Sequence, residues 1–225
     1  MKRDRGNLFI VSAPSGAGKT TLCQKLSLIL PNLRHSVSYT IRPMRQGEVN
    51  NRDYIFISED IFLKMIERGE FVEWAKVHGY LYGTSRKKLE SMLNKGIDVI
   101  LDIDVQGAKQ LRKNYSGGVY IFILPPSMKT LRKRLHLRMS NSKQEIETRL
   151  KRALVEIRDY KKYDYVIIND GFKDALEGLK SIVISEKVRT EKIDPLWIKE
   201  KFFHLNGFPP WAGRRGDAEA KRSGG

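Results

Sequence analysis

Cysteine is nearly absent from this sequence. Cys23 stands alone in 225 residues, so no internal disulfide can form, and a reducing, cytoplasmic compartment is expected. The four histidines, His35, His78, His136 and His204, show no metal-ligand spacing among themselves or with that cysteine, and no zinc site is expected. Long apolar runs are missing as well. The charged start Met1-Lys2-Arg3-Asp4-Arg5 is unlike a signal peptide, and nothing approaches the roughly 20 apolar residues that span a bilayer. No membrane partner is expected. Acidic residues are few: 26 Asp and Glu against 42 Lys and Arg leave a net charge of +16, which asks for an anionic partner. Nucleic acid is not the expected one. No RNP, zinc-finger or helix-turn-helix pattern occurs, and the most basic stretch has no interleaved aromatics. That stretch, Met128 to Arg152, holds nine Lys or Arg and two Glu. Alone it would read as a solvated helix face.

What is present is enough apolar residue to bury a core, 40% of the chain, for one α/β domain with insertions or two small lobes. The run Leu8-Phe9-Ile10-Val11 leads into a glycine-bearing loop, and Leu22, Leu26 and Ile29 follow at helical spacing until Pro31. Further strand-like runs are Ile97 to Asp104, Val119 to Leu124 and Tyr165 to Asn169. Helical patterns cover Ser85 to Lys95, Ser127 to Arg138 and Gln144 to Tyr160. Apolar strands alternating with helices predict an α/β fold, a parallel sheet covered on both faces. Residues 36 to 84 break the rhythm with the alternating run Tyr54 to Ile57, a helix from about Glu59 to Arg68 and many turn residues. They predict an inserted, small β-containing lobe. Beyond about Val188 the pattern fades into a polar, glycine-rich tail, 189–225, expected to be partly disordered.

The loop "SAPSGAGKTT", Ser12 to Thr21, matches a phosphate-binding loop except at its first glycine, where Ala13 stands. Gly16 and Gly18 permit the tight turn, backbone N–H groups and the helix N-terminus face the anion, Lys19 bridges β- and γ-phosphates, and the Thr20 hydroxyl suits Mg²⁺. Ala13 is tolerable if its φ is ordinary. A glycine turn before a core helix is the plainer alternative. Asp102 and Asp104, two apart at the end of a strand, are expected to point to one side, where ligands bind in open α/β sheets. One can orient water on Mg²⁺ and the other can meet a substrate.

At "SVSYTIRPMRQGEVNNRDY" (Ser36 to Tyr54) and "EFVEWAKVHGYLYGTS" (Glu70 to Ser85) the chain resembles the guanylate kinases, ATP:GMP phosphotransferases. "VSAPSGAGKT", "ILDIDVQGA", "FILPPS" and "YDYVIIND" follow the family's order, so the likeness covers about residues 6 to 188. Bacterial-type members commonly carry alanine where Ala13 stands. The resemblance implies a P-loop fold: a three-layer parallel-sheet core (6–35, 85–126 and 161–188), a GMP-binding lobe (36–84) and a helical lid (127–160). It implies ATP and Mg²⁺ with GMP, and dGMP, as acceptor. ATP is expected on Ala13, Pro14, Ser15, Gly16, Ala17, Gly18, Lys19, Thr20 and Thr21, with Asn169 near the adenine. Ser38, Arg42, Arg45, Tyr54 and Tyr82 are implied for the GMP phosphate, and Glu73, Thr84 and Asp104 for guanine. The metal falls to Thr20 and, through water, Asp102. Lys19, Arg45, Arg134, Arg138 and Arg149 are the implied catalytic cations, so the basic stretch becomes the lid. Met139 replaces a usual lid glycine and Ile41 a commoner threonine. Oligomerisation is left open. Three rivals are a protein-binding guanylate-kinase-like module, a nucleic-acid-binding protein and a kinase for a phosphorylated sugar.

Overall fold

The computed structural model describes residues 5–77, 79–115, 117–137 and 143–203. In chain order the elements are β1 (Leu8–Ser12), α1 (Lys19–Ile29), β2 (Leu33–His35), β3 (Tyr39–Thr40), β4 (Ile55–Phe56), α2 (Glu59–Glu67), β5 (Phe71–Val77), β6 (Tyr80–Ser85), α3 (Arg86–Asn94), β7 (Asp98–Asp102), α4 (Val105–Asn114), β8 (Val119–Leu124), α5 (Met128–Leu137), α6 (Lys143–Ile157), β9 (Tyr165–Ile168), α7 (Phe172–Lys187) and α8 (Pro195–Ile198). The chain divides into two compact units between Glu186 and Lys187. Among the described residues, the larger carries every strand. The smaller holds, among described residues, a 3₁₀ turn at Thr190–Lys192, α8 and a π turn at Lys199–Phe203.

The main sheet has the order β2-β7-β1-β8-β9, every pairing parallel. Alternation along β1 explains its two cores. Phe9 and Val11 join Leu22, Cys23 and Leu26 of α1 and Leu179 and Val183 of α7 on one face. Leu8 and Ile10 join Leu89 and Leu93 of α3 and Ala108 and Leu111 of α4 on the other. Phe9, Ile10 and Val11 are fully buried, each contributing roughly 1.5–3 kcal/mol of apolar burial. This is the doubly covered α/β core that the apolar runs predict.

Local expectations needed correction. Ile29 is 40% exposed, and the buried stripe of α1 is Leu22, Cys23 and Leu26. β7 stops at Asp102, because Asp104 has left the strand to cap α4, a helix absent from the sequence reading. The helix expected to reach Tyr160 ends at Ile157 and tightens into a 3₁₀ turn, Arg158–Lys162.

The segment from 39 to 85 builds its own sheet, β4-β3-β6-β5, mostly antiparallel. Phe62 and Met65 of α2 pack on Phe71 and Leu81, with the Phe62 and Phe71 rings stacked at 4.5 Å. Ser58 and Ser85 cap α2 and α3, their hydroxyls accepting from the Ile61 and Lys88 N–H groups. A fourth cluster, Leu131 and Leu135 of α5 with Ile146, Leu150 and Ala153 of α6, joins the two basic helices.

Candidate active site

β1 delivers the chain into the glycine loop, and α1 begins directly after it. Gly16 and Gly18 sit at φ 95° and 91°, while Asn51 is the only described non-glycine residue with positive φ. Ala13 therefore keeps an ordinary backbone and tolerates its Cβ. A Cβ on Gly18 would lie 2.5 Å from Asn169 Nδ2, so this glycine serves close approach as well as its φ. Gly18 is the N-cap of α1 and no side chain caps that helix, which leaves its first N–H groups directed at the loop. Pro14 and Ala17 are buried, Ser15 is half-buried, and Thr20 and Thr21 are exposed at the mouth.

Two side chains fasten this loop to the sheet. Asn169, 5% exposed beyond β9, donates from Nδ2 to the Ala17 carbonyl at 2.7 Å. Arg134 of α5 then donates from Nη2 to the Asn169 carbonyl at 2.9 Å, and its Nη1 is buried without a partner. Asn169 and Arg134 thus meet at the loop, with Asn169 acting as a strut. Leu131 and Leu135 of α5 lie where a Cβ on Gly16 would touch them, so α5 rests directly on the loop. Arg149 lies half-buried on α6. Arg138 and Met139 fall outside the described residues.

Lys19 pairs with Asp102 at the end of β7 and donates to the Ile103 carbonyl at 2.9 Å. Burial works to raise the Asp102 carboxyl, but Lys19, the Thr20 hydroxyl and His35 together hold it below the usual carboxylate range. Thr20 and Asp102 are hard oxygen donors side by side at the foot of the loop. This donor chemistry fits a hydrated Mg²⁺ that takes its other ligands from nucleotide phosphates. Among the described residues no group of three or more His, Cys, Asp or Glu could hold a metal by itself.

Across the cleft floor, β5 and β6 pair Glu73 opposite Thr84. Glu73 is 4% exposed and accepts from Thr84 Oγ1 at 2.5 Å. Burial first, then the nearby Asp104 charge, pushes its carboxyl up to about 7, against the Thr84 hydrogen bond. Asp104 caps α4, accepting from the Gly107 N–H at 2.8 Å. A Cβ on Gly107 would lie 2.3 Å from Glu73 Oε2 and 3.3 Å from Asp104 Oδ1, so the glycine lets the two carboxylates approach. Glu73, Thr84 and Asp104 are therefore one cluster, while Asp102 belongs with Lys19. The expected common side for Asp102 and Asp104 fails because the strand ends between them.

Arg42 is 5% exposed and forms a bidentate pair with Glu48, at 2.7 and 3.0 Å. Tyr82 hydrogen-bonds the same guanidinium, and with Glu48 it holds the charge against burial. The Tyr54 ring lies 5.3 Å from it and edge-on to Tyr82 at 5.8 Å. Burial pushes the Tyr54 phenol up to about 12, so it stays a hydrogen-bond donor. Arg45 is exposed and Ser38 half-buried; Glu48 also accepts from the Arg45 backbone N–H at 2.7 Å. Two arginines and two phenols of this lobe suit a phosphate dianion.

Three residues of the site were not foreseen. Glu48 is the partner that fixes Arg42. Glu156 on α6 accepts from the Ser15 N–H, and burial, then Asp104, raises it to about 7. Its spacing of seven from Arg149, with Arg152 between, places all three on one helix face, a signal the sequence did contain. His35 ends β2 near Asp102 and Lys19, with Nε2 buried and unpartnered, and burial lowers its pKa.

Comparison with known proteins gives the family. A family model described as "Guanylate kinase" matches residues 5–186. The guanylate kinase of Geobacter metallireducens is 57% identical over 193 residues, covering 86% of this chain and 95% of that protein. That of Thermotoga maritima is 45% identical over 188 residues, 84% of this chain and 91% of its own. The crystal structure of guanylate kinase from Anaplasma phagocytophilum superposes with a TM-score of 0.75 at 34% identity, covering 92% of this chain and all of the other. With a family match across nearly the whole larger unit, the chain belongs to the guanylate kinase family.

Proposed function

We propose that this chain transfers the γ-phosphoryl group of ATP to GMP, and to dGMP, giving ADP and GDP, with Mg²⁺ bound beside Thr20 and Asp102. The observation that carries the choice of acceptor is the buried pair Glu73–Thr84 facing Asp104. Guanine offers an N1–H and an amino group to such an acceptor. Adenine offers no N1–H there, and an unpaired carboxylate in this pocket rejects it.

The acceptor oxygen of GMP is already anionic near neutral pH, so no strong general base is required. Positioning and charge neutralisation do the chemistry. Arg42, Arg45, Tyr54, Tyr82 and Ser38 hold the GMP phosphate, with Glu48 fixing the orientation of the Arg42 guanidinium. Lys19 exchanges Asp102 for the β- and γ-phosphates of ATP. Bound Mg²⁺ supplies charge stabilisation on those phosphates. Arg134, Arg138 and Arg149 come from the lid region, 127–160, whose approach excludes water from the transferring group. The core (6–35, 85–126, 161–188) holds ATP and lends Asp104 to the GMP site built on the lobe (36–84).

A coupled assay of ADP release, with ATP and each of GMP, dGMP, AMP, CMP and UMP in turn, tests the reading. GMP and dGMP are expected to support turnover and the other three are not. Equal rates with AMP would refute it. ADP release without any acceptor dependence would instead indicate an ATPase.

A further inference from the structure

A cavity of about 280 Å³ lies between α4 and the 3₁₀ turn that follows α6. Its walls are Val105, Ala108, Lys109, Arg112 and Lys113 of α4, with Asp159, Lys162 and Tyr163 opposite. These α4 residues recur at helical spacing on one face. Gly107 and Gln110, which meet Glu73 and the Trp74 N–H, occupy the other. The cavity is therefore on the side of α4 turned away from the guanine-reading cluster.

Four cations against one carboxylate leave this small cavity a net charge of +3. A solvated basic face is the plain alternative, but three of the cations are held in place. The Arg112 guanidinium lies over the Tyr120 ring at 3.6 Å and near the Tyr163 ring at 5.9 Å. Asp159, with only 13% of its side chain exposed, pairs with Lys109 at 2.7 Å and Lys162 at 2.5 Å, one from each wall. Burial opposes the Asp159 charge, and the two ammonium groups overcome it. Among the described residues, Arg112 and Lys113 have no ion-pair partner. The nearest further acid in sequence, Asp164, is engaged by the Tyr120 N–H at 2.8 Å.

We infer that this cavity is a further anion site, separate from the phosphate loop and from the arginine-tyrosine cluster, and that it takes a compact di- or triphosphate chain. Size decides for a compact ligand, since pockets for drug-sized molecules begin at roughly 300 Å³. Charge decides for more than one negative group, because Arg112 and Lys113 have no ion pair among the described residues and Asp159 only partly neutralises Lys109 and Lys162. The floor of Val105, Ala108 and the Tyr163 ring excludes water from one side, which strengthens the rim's grip.

Calorimetric titration of the full chain with inorganic tripolyphosphate, at low salt, tests this. With GMP present to fill the arginine-tyrosine cluster, the parent is expected to show two sites, and Lys19→Ala to lose the one in the phosphate loop. Arg112→Ala/Lys113→Ala should weaken the other at least about tenfold while GMP phosphorylation stays unchanged. Arg112 packs on Tyr120, so Lys113→Glu, at the exposed rim, is the control against misfolding and should weaken the same site. ATP titrated into Lys19→Ala separates the sources. A site sensitive to Arg112 and Lys113 assigns a nucleotide-borne chain, and tripolyphosphate binding without it assigns a free chain. One site only in the parent, or a second site indifferent to Arg112→Ala/Lys113→Ala and Lys113→Glu, would overturn the inference.

Discussion

Lys19 and Glu73 each hold a charge that is balanced differently from what their sequence context suggests. Lys19 was expected to serve phosphate alone, yet it also neutralises the buried Asp102. Lys19→Ala should then lower kcat by on the order of 10³ and also destabilise the fold. The sign follows from Asp102. Its pKa is depressed in the folded chain, so the pair's stabilisation is present above the ordinary carboxylate range and lost as pH falls through the folded value. The melting-temperature gap between parent and variant is expected to be wide at pH 7 and to close in acid; a gap independent of pH would separate Asp102 from Lys19. Glu73 is the opposite case. Raised to about 7, it retains a proton that the unfolded chain gives up earlier, so it reduces stability as pH rises through that window. Glu73→Gln should raise the melting temperature at pH 8 by about 2–5 °C. In the parent, the KM for GMP should climb as pH drops below 7, because guanine's donors need the ionised carboxylate. A flat KM profile would mean that Glu73 stays charged throughout.

Elements differ in how plainly the sequence announces them. β1, β8 and β9 are near-continuous apolar runs, and α1 carries the loop motif at its start. α4 was missed because its buried side is built from Val105, Gly107, Ala108 and Leu111, too small a stripe to stand out between two glycines' worth of polar residues. Its start was nonetheless marked by Asp104, an N-cap residue type. β5 was legible only through the family motif, since a register shift between Phe71 and Glu73 spoils the two-residue alternation. Glu48 was invisible for another reason, since its meaning lies in the fork of Arg42 that folding brings near, and Glu156 shows in the sequence only its helix face, not its partner Ser15. The contact between β9 and the phosphate loop is likewise long-range. Asn169→Ala removes the donor to the buried Ala17 carbonyl, at a cost of about 1–3 kcal/mol. The KM for ATP should rise roughly tenfold while the KM for GMP changes little. Equal effects on both substrates would show that Asn169 supports the whole cleft rather than the ATP side.

On the scale of the whole molecule, every buried cluster among the described residues lies between Leu8 and Val183, and the family match ends at residue 186. A chain ending after Lys187 should fold and phosphorylate GMP with kcat within about twofold of the parent; loss of activity would give the remaining residues a part in the site. No described helix is long and apolar enough to cross a membrane, and the net charge of +16 suits substrates that are themselves polyanions. The larger unit carries the glycine loop after β1 on its five-stranded sheet, and the arginine-tyrosine cluster, whose floor is Glu73, beside its four-stranded sheet. The account stands or falls on that floor. The most direct measurement is the ratio of kcat/KM for GMP over AMP, taken for the parent and Glu73→Gln under identical conditions. The parent is expected to favour GMP by about 10⁴ or more, and the variant to lose roughly 10- to 100-fold of that ratio, with the KM for ATP unchanged. An unaltered ratio would contradict the account, because guanine would then be read somewhere other than at Glu73.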